Sequence, residues 1–420
     1  MVITSDILNN QNLWWSNSDW VQTDQHLLSL KDKSYAFTRP EVEELSVLND
    51  SINIIRGPRQ VGKTTLLKSI LEKTFIKRII QPSETLYLSC ETIDNYKELE
   101  ETLFSWLKNH SHESLILLDE ISFVKEWSRA ILSFANQGLL QRKTVFITGS
   151  NSRDLKESGE RLPGRRNKGK DIFLNPLSLK EIKTLKCFSH LNNEEIFELY
   201  LKVGGFPHAI RDYVINGQVL DSTYEIYRNW IIGDAARYNL LESILKQILF
   251  RVFETLSSRV SWKSLIETTS VKSHETALSY IEHLEDAFIA NTLYCYDHNK
   301  RSENTAKAKK IYFIDPLIYY LAYSWKTNAS NVYNWVGSKL GDNTFKGKIF
   351  EAVVVSHLKR LHRGLYYWYS TKTKQEVDIL LPLDNAFKIY DAKLSQDRYS
   401  KTVLGQPVIN ITPQNIFNFI

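Results

Sequence analysis

Hydrophobic positions in the first 150 residues fall into short continuous runs rather than alternating ones. One run ends at Ile54 and Ile55, and others occupy 85–90, 114–118 and 144–148, each bounded by polar or turn-forming residues. A strand covered on both faces in a parallel sheet needs that pattern, whereas a half-exposed strand alternates. Between the runs lie helical segments, one beginning near Lys63 and one over 96–108. Strand and helix in alternation predict an α/β fold. Residues 1–50 are polar, with Trp14, Trp15, Trp20 and an acidic helical stretch at 41–45, and read as a lead-in packed on that sheet. A partner surface is the alternative use of the tryptophans.

Further along, Ile244, Ile248, Val252 and Leu256 recur at helical spacing, a short helix fits 261–266, and Ser273 caps a longer helix bearing Ala277, Tyr280, Ile281 and Leu284. Two β-like runs, 289–296 and 310–314, flank a polar loop at 297–309. Helix, turn, helix and hairpin in that order predict a winged-helix-like module. An amphipathic helix over 345–362 and strand-like runs at 376–381 and 388–393 predict a second α/β domain at the carboxyl end.

At 420 residues the chain exceeds one ordinary core, so two or three domains are expected. Apolar residues at 43% and charged residues at 24% exclude a disordered or membrane-embedded chain. A net charge of +5 permits a nucleic-acid partner without arguing for one. Cys90, Cys187 and Cys295 are far apart, which argues against a zinc site and for a reducing compartment. Residues 1–6 lack a signal-peptide pattern and no run is long enough for a bilayer, so no membrane association and a cytoplasmic location are expected.

The chemistry concentrates first at Gly57-Pro58-Arg59-Gln60-Val61-Gly62-Lys63-Thr64-Thr65, between a strand-like run and a helix. This is a phosphate loop: its glycines let successive N–H groups face a polyphosphate, and the helix start adds its dipole. Lys63 is placed to reach the β and γ phosphates of ATP and Thr64 to hold Mg²⁺. The run at 114–118 ends in Asp119-Glu120, where Asp119 suits the Mg²⁺ shell and Glu120 the activation of water. Ser150 and Asn151 follow the next run and are either γ-phosphate sensors or simply a polar turn. In the basic loop 162–170, Arg165 or Arg166 serves as an arginine finger, or the loop is merely solvated.

These elements, followed by Asn175-Pro176-Leu177-Ser178-Leu179 and Gly204-Gly205-Phe206-Pro207, resemble over residues 30–215 the "archaeal ATPase" branch of P-loop proteins, related to AAA-type and STAND ATPases. The resemblance implies a helical lid and, by carry-over, Gly205 and Pro207 near the adenine. No second arginine signature marks the lid, which leaves ring assembly open. A nucleotide-dependent homo-oligomer remains one expectation.

In the middle region, Lys300, Arg301, Lys307, Lys309 and Lys310 suit a DNA-binding wing, against an internal module that transmits the nucleotide state. Near the carboxyl end, Glu351 lies on an apolar helix face, Asp378 interrupts a strand, and Asp391 and Lys393 share one side of the next. Glu351, Asp378 and Asp391 suit a metal, with Lys393 orienting water. This set resembles the restriction-endonuclease-like superfamily, with Val377 where a proline is common. It implies either a working nuclease or a retired fold that binds nucleic acid or protein.

The expected organisation is therefore a leader (1–30), a P-loop ATPase core on a parallel sheet (31–180), a helical lid (181–240), a winged-helix-like domain (241–330) and a nuclease-like α/β domain (331–420). The expected function is an Mg²⁺-dependent ATPase whose nucleotide state controls a domain that acts on or binds DNA. The alternative is a STAND-like scaffold whose carboxyl domain only binds partners.

Overall fold

A computed structural model describes residues 5–31, 39–45, 47, 49–150, 166–362, 364–384, 386–395 and 401–420. It divides into two compact units, Met1–Asn175 and Pro176–Ile420. Among the described residues no helix is long and apolar enough to cross a membrane.

The first unit is built on strands β1 (Ser51–Arg56), β2 (Thr85–Ser89), β3 (Ser114–Asp119), β4 (Lys143–Gly149) and β5 (Asp171–Phe173). They form one sheet in the order β2-β3-β4-β1-β5, every neighbouring pair parallel. All residues of β1, β3 and β4 are buried, which is why each has neighbouring apolar residues in place of a strict alternation, Ile54-Ile55 in β1, Leu115 to Leu118 in β3 and Val145 to Ile147 in β4. One face carries Leu99, Trp106, Trp127 and Phe134, and the other carries Leu66, Ile70 and Leu71. The leader joins this second layer. Trp14 and Trp20 meet edge to face at 5.0 Å, and the Asn12 side chain donates to the Tyr87 carbonyl and accepts from the Tyr87 N–H. Those two bonds occupy backbone groups of β2, the edge strand, that would otherwise stand open to pairing.

In the second unit, β6 (Ala290–Leu293) pairs antiparallel with β9 (Lys310–Phe313), and Val260 bridges Lys309. Helices Glu242–Glu254, Trp262–Ile266 and His274–Asp286 precede this ribbon. The hairpin does not stop there. Its outer parts, β7 (Cys295–Asp297) and β8 (Ser302–Asn304), join β10 (Tyr366–Tyr369), β11 (Glu376–Pro382), β12 (Phe387–Ala392), β13 (Thr402–Val403) and β14 (Gln406–Ile411). The result is a mixed seven-stranded sheet ordered β13-β14-β12-β11-β10-β7-β8.

The stretches expected as three domains, 181–240, 241–330 and 331–420, thus lie in one compact unit. The physical reason is a set of buried polar ties. Asp315 accepts from the Gly205 N–H at 2.7 Å and the Leu317 N–H at 3.0 Å, and His357 Nε2 accepts from the Leu179 N–H at 3.1 Å. Burial raises the Asp315 carboxyl to about 6, while the backbone donors pull the other way.

Candidate nucleotide site and carboxylate cluster

The phosphate loop leaves the carboxyl end of β1 and enters helix Lys63–Ile76. A Cβ on Gly57 would lie 2.0 Å from the Leu174 carbonyl oxygen, and Gly62 turns at φ 96°, so both positions require glycine for stated reasons. Val61 is buried beneath the loop, and Arg39 fastens it from below by donating to the carbonyls of Val61 (2.9 Å) and Asn175 (3.0 Å). Pro58 is buried, Gln60 is exposed at φ 61°, and Thr65 is half-buried in the first helical turn.

Lys63 is only 4% exposed. Its ammonium donates to the carbonyls of Gly57 (3.2 Å) and Pro58 (3.1 Å) and pairs with Glu120 Oε1 at 3.2 Å. Thr64 Oγ1 donates to Asp119 Oδ2 at 2.7 Å, so the loop hydroxyl and the strand-end carboxylate are gathered at one point. Two residues not foreseen from the sequence complete the setting: Tyr87 donates to Asp119 Oδ2 at 2.8 Å and Thr148 to Oδ1 at 2.5 Å. The Thr148 hydroxyl in turn accepts from the Glu120 N–H at 2.9 Å. Register explains the convergence, since Ser89 pairs with Asp119 across β2 and β3 and Thr148 sits one position past the last β3–β4 partner. Burial pushes the Glu120 carboxyl up, but Lys63 and Arg59 outweigh it and hold it below the ordinary value.

Ser150 is buried at the end of β4 and accepts from Arg59 Nε at 3.3 Å. Asn151 and Arg165 lie outside the described residues. Arg166 is not a free finger: it pairs with Asp171 at 2.9 Å and donates to the Ile52 carbonyl at 3.2 Å, clamping the chain to β1. Gly205 and Pro207 belong to the second unit, where the Gly205 N–H is taken by Asp315 and Pro207 opens helix Pro207–Asn216.

In the second unit, Glu351, Glu376 and Asp378 converge on Lys310. Its ammonium lies 3.2 Å from Glu351 Oε1, 2.9 Å from Glu376 Oε1 and 2.8 Å from Asp378 Oδ1, and its side chain is 1% exposed. Burial disfavours the Lys310 charge, yet the carboxylates reverse that and raise its pKa. Tyr312 also donates to Glu351 at 2.5 Å. Arg259 pairs with Glu376 Oε2 at 2.9 Å while its guanidinium stacks 3.4 Å over Tyr369. Asp391 stands aside from this point, accepting from the Asp378 N–H at 3.4 Å and facing Lys401 at 3.4 Å.

The expected metal set of Glu351, Asp378 and Asp391 is corrected accordingly. Among the described residues no three acidic, His or Cys groups are placed to hold a metal, because an ammonium occupies the point where two of the acids meet. Lys393 makes no ion pair with the cluster among the described residues; its N–H continues the pairing to the Ile411 carbonyl at 2.9 Å, one residue past β12. A signal was available for Glu376, which shares a face with Asp378 at a spacing of two.

The expected basic wing is likewise reduced. Lys300, Arg301 and Lys307 are exposed, whereas Lys310 is buried and Lys309 lies 4.0 Å over the Trp262 ring, its pKa pushed down to about 8 by burial. The exposed side of helix His274–Asp286 presents His274, Glu275, Ser279 and Glu282, a poor match for phosphates.

Residues 49–183 match the family described as AAA domain, and residues 194–329 match a domain of unknown function, DUF8612. The part of the chain similar to an AAA domain is thus the part that carries the phosphate loop. The uncharacterized protein MJ1544 of Methanocaldococcus jannaschii is 26% identical over 362 residues, covering 80% of this chain and 74% of that protein. The Aeropyrum pernix ORC2 protein, solved in its ADPNP-ADP complexes, aligns at 13% identity and a TM-score of 0.39, covering 73% of this chain and 96% of that one. Replication initiator DnaA bound to AMPPCP and single-stranded DNA aligns at 19% identity and a TM-score of 0.32, covering 58% and 86%.

Proposed function

We propose that this chain, which carries an AAA-type P-loop ATPase domain, is an Mg²⁺-dependent ATP-hydrolysing switch with the 176–420 unit as its effector. The observation that carries the reading is the 2.7 Å bond between Thr64 and Asp119 beside the Lys63 ammonium. A loop hydroxyl and a strand-end carboxylate are the donor types a magnesium–nucleotide complex takes, so the residues present fit the ion. Thr64 and Asp119 would hold Mg²⁺, which would supply charge neutralisation for the nucleotide phosphates.

The chain's own groups do the rest. The N–H groups from Gly57 to Thr65 cradle the phosphates, and Lys63 exchanges the Gly57 and Pro58 carbonyls and Glu120 for phosphate oxygens. Glu120, released and ionised, accepts a proton from the attacking water. Lys63→Ala tests this: it abolishes ATP turnover, and retained turnover would remove the assignment.

A second reading, a nuclease acting on DNA, is favoured by the gathering of Glu351, Glu376 and Asp378 at one point. The same distances weigh against it, since Lys310 fills that point. We therefore assign the effector unit to binding, with exposed Lys300, Arg301 and Lys307 as its candidate DNA phosphate contacts. Plasmid and single-stranded DNA stay intact with Mg²⁺ or Mn²⁺, with and without ATP. Cleavage by wild type that is lost in Asp378→Ala would restore the nuclease. Light scattering with and without an ATP analogue tests for a nucleotide-dependent homo-oligomer.

A further inference from the structure

We infer that Arg59, inside the phosphate loop, is the catalytic cation of the hydrolysis site, supplied by the same chain that binds the nucleotide. This deepens the ATPase reading and rests on it.

The inference begins with what Arg59 touches. Its Nε donates to Ser150 Oγ at 3.3 Å, and its guanidinium carbon lies 5.4 Å from the centre of the Phe123 ring. Both contacts come from strand ends of the sheet, Ser150 just past β4 and Phe123 just past β3. They fix the planar fork against the ends of β3 and β4. Yet Nη2 is buried and, among the described residues, has no hydrogen-bond partner. Glu120 Oε2 is in the same condition. A buried guanidinium N–H without an acceptor is costly, and so is a buried carboxylate oxygen without a donor on the residue that pairs with the phosphate-binding lysine. Each atom is left able to take up a new partner, Arg59 Nη2 a γ-phosphate oxygen and Glu120 Oε2 the attacking water.

The chemistry uses both. Water oxygen bonds to the γ-phosphorus as the bond from that phosphorus to the β,γ-bridging oxygen breaks. The electron pair of the broken bond stays on the β-phosphate, one water proton goes to Glu120, and ADP and inorganic phosphate result. Charge spread over the γ-phosphoryl oxygens is met by the Arg59 fork, which Ser150 keeps aimed. Arg166 is tied to Asp171 and Ile52, whereas the Arg59 fork lies inside the phosphate loop itself and keeps a buried Nη2 with no hydrogen-bond partner among the described residues.

The test compares wild type, Arg59→Ala and Arg59→Lys for ATP turnover, ADP affinity, ATP-analogue affinity and melting temperature. Expected for Arg59→Ala is a fall in kcat of about 10²- to 10³-fold with ADP affinity unchanged. Arg59→Lys should recover part of the rate, because it restores charge without the fork. Wild-type kcat per chain should also stay constant across protein concentration, since no second copy supplies the cation. Unchanged kcat in Arg59→Ala overturns the inference. So does a parallel loss of ADP binding and rate in both variants, which marks a loop-shaping role. A rate that rises with protein concentration overturns it as well. If wild type itself fails to hydrolyse ATP, the ATPase reading falls instead.

Discussion

Lys63 and Lys310 are both buried beside carboxylates, but one faces a single acid and the other faces three. Lys63 pairs with Glu120 at 3.2 Å and spends its other bonds on two loop carbonyls that a phosphate displaces. Lys310 has Glu351, Glu376 and Asp378 within 3.2 Å, while Arg259 neutralises the outer oxygen of Glu376. Around Lys63, Glu120 Oε2 and Arg59 Nη2 are buried without partners; no atom of the Lys310 cluster is so left among the described residues. Unspent hydrogen-bonding capacity marks a site prepared for a ligand, and spent capacity marks one that holds a fold together.

The sharpest break in the comparison comes from removing each lysine. Lys63→Ala should lower ATP turnover by about 10³-fold or more while the melting temperature barely moves, read by phosphate release and calorimetry. Lys310→Met should do the reverse. Leaving three carboxylates without their shared cation costs about 3–5 kcal/mol of stability, measured by urea unfolding, and leaves the kcat of the folded fraction intact. A Lys310→Met protein as stable as wild type would mean that the cluster is not a structural tie.

Next in size, Tyr87→Phe removes one of the hydroxyls that aim Asp119, so kcat should drop about tenfold with KM for ATP little changed. An equal rise in KM alone would make Tyr87 a packing residue.

The two sites should also answer pH with opposite signs. Burial first, and then Asp378, raises the Glu351 carboxyl to about 7, with Lys310 and Tyr312 opposing. A folded value above the ordinary 4.5 makes its contribution to stability full below pH 4.5 and lost as pH rises to about 7. The loss is at most ~1.4 kcal/mol per pH unit, and urea unfolding of wild type against Glu351→Gln should show the wild-type advantage shrinking over that window. Glu120, lowered in the fold, contributes above the ordinary glutamate value and loses that contribution as pH falls through its folded value. The wild-type advantage over Glu120→Gln should accordingly shrink toward acid.

What the sequence made legible differs between the two sites for the same physical reason. The phosphate loop is a contiguous motif of nine successive residues, so Gly57 to Thr65 stood out as a candidate site, and the structure brings Asp119 to Thr64 and Glu120 to Lys63. The partners that aim Asp119 could not. Tyr87 and Thr148 are 32 and 29 residues away and arrive only through strand order and register. At the second site the acids were visible, but Lys310 was assigned by its sign to an exposed wing. Its place in the wholly buried strand Lys310–Phe313 is what turns the cation inward.

The most direct test of the contrast is an electron paramagnetic resonance titration of Mn²⁺ into the full chain with a slowly hydrolysed ATP analogue, using wild type, Thr64→Ala and Asp378→Asn. The account predicts one bound ion per chain that needs the nucleotide, is lost in Thr64→Ala and is unaffected by Asp378→Asn. A second ion that survives Thr64→Ala and disappears in Asp378→Asn would contradict it, showing that the carboxylates around Lys310 open to metal after all.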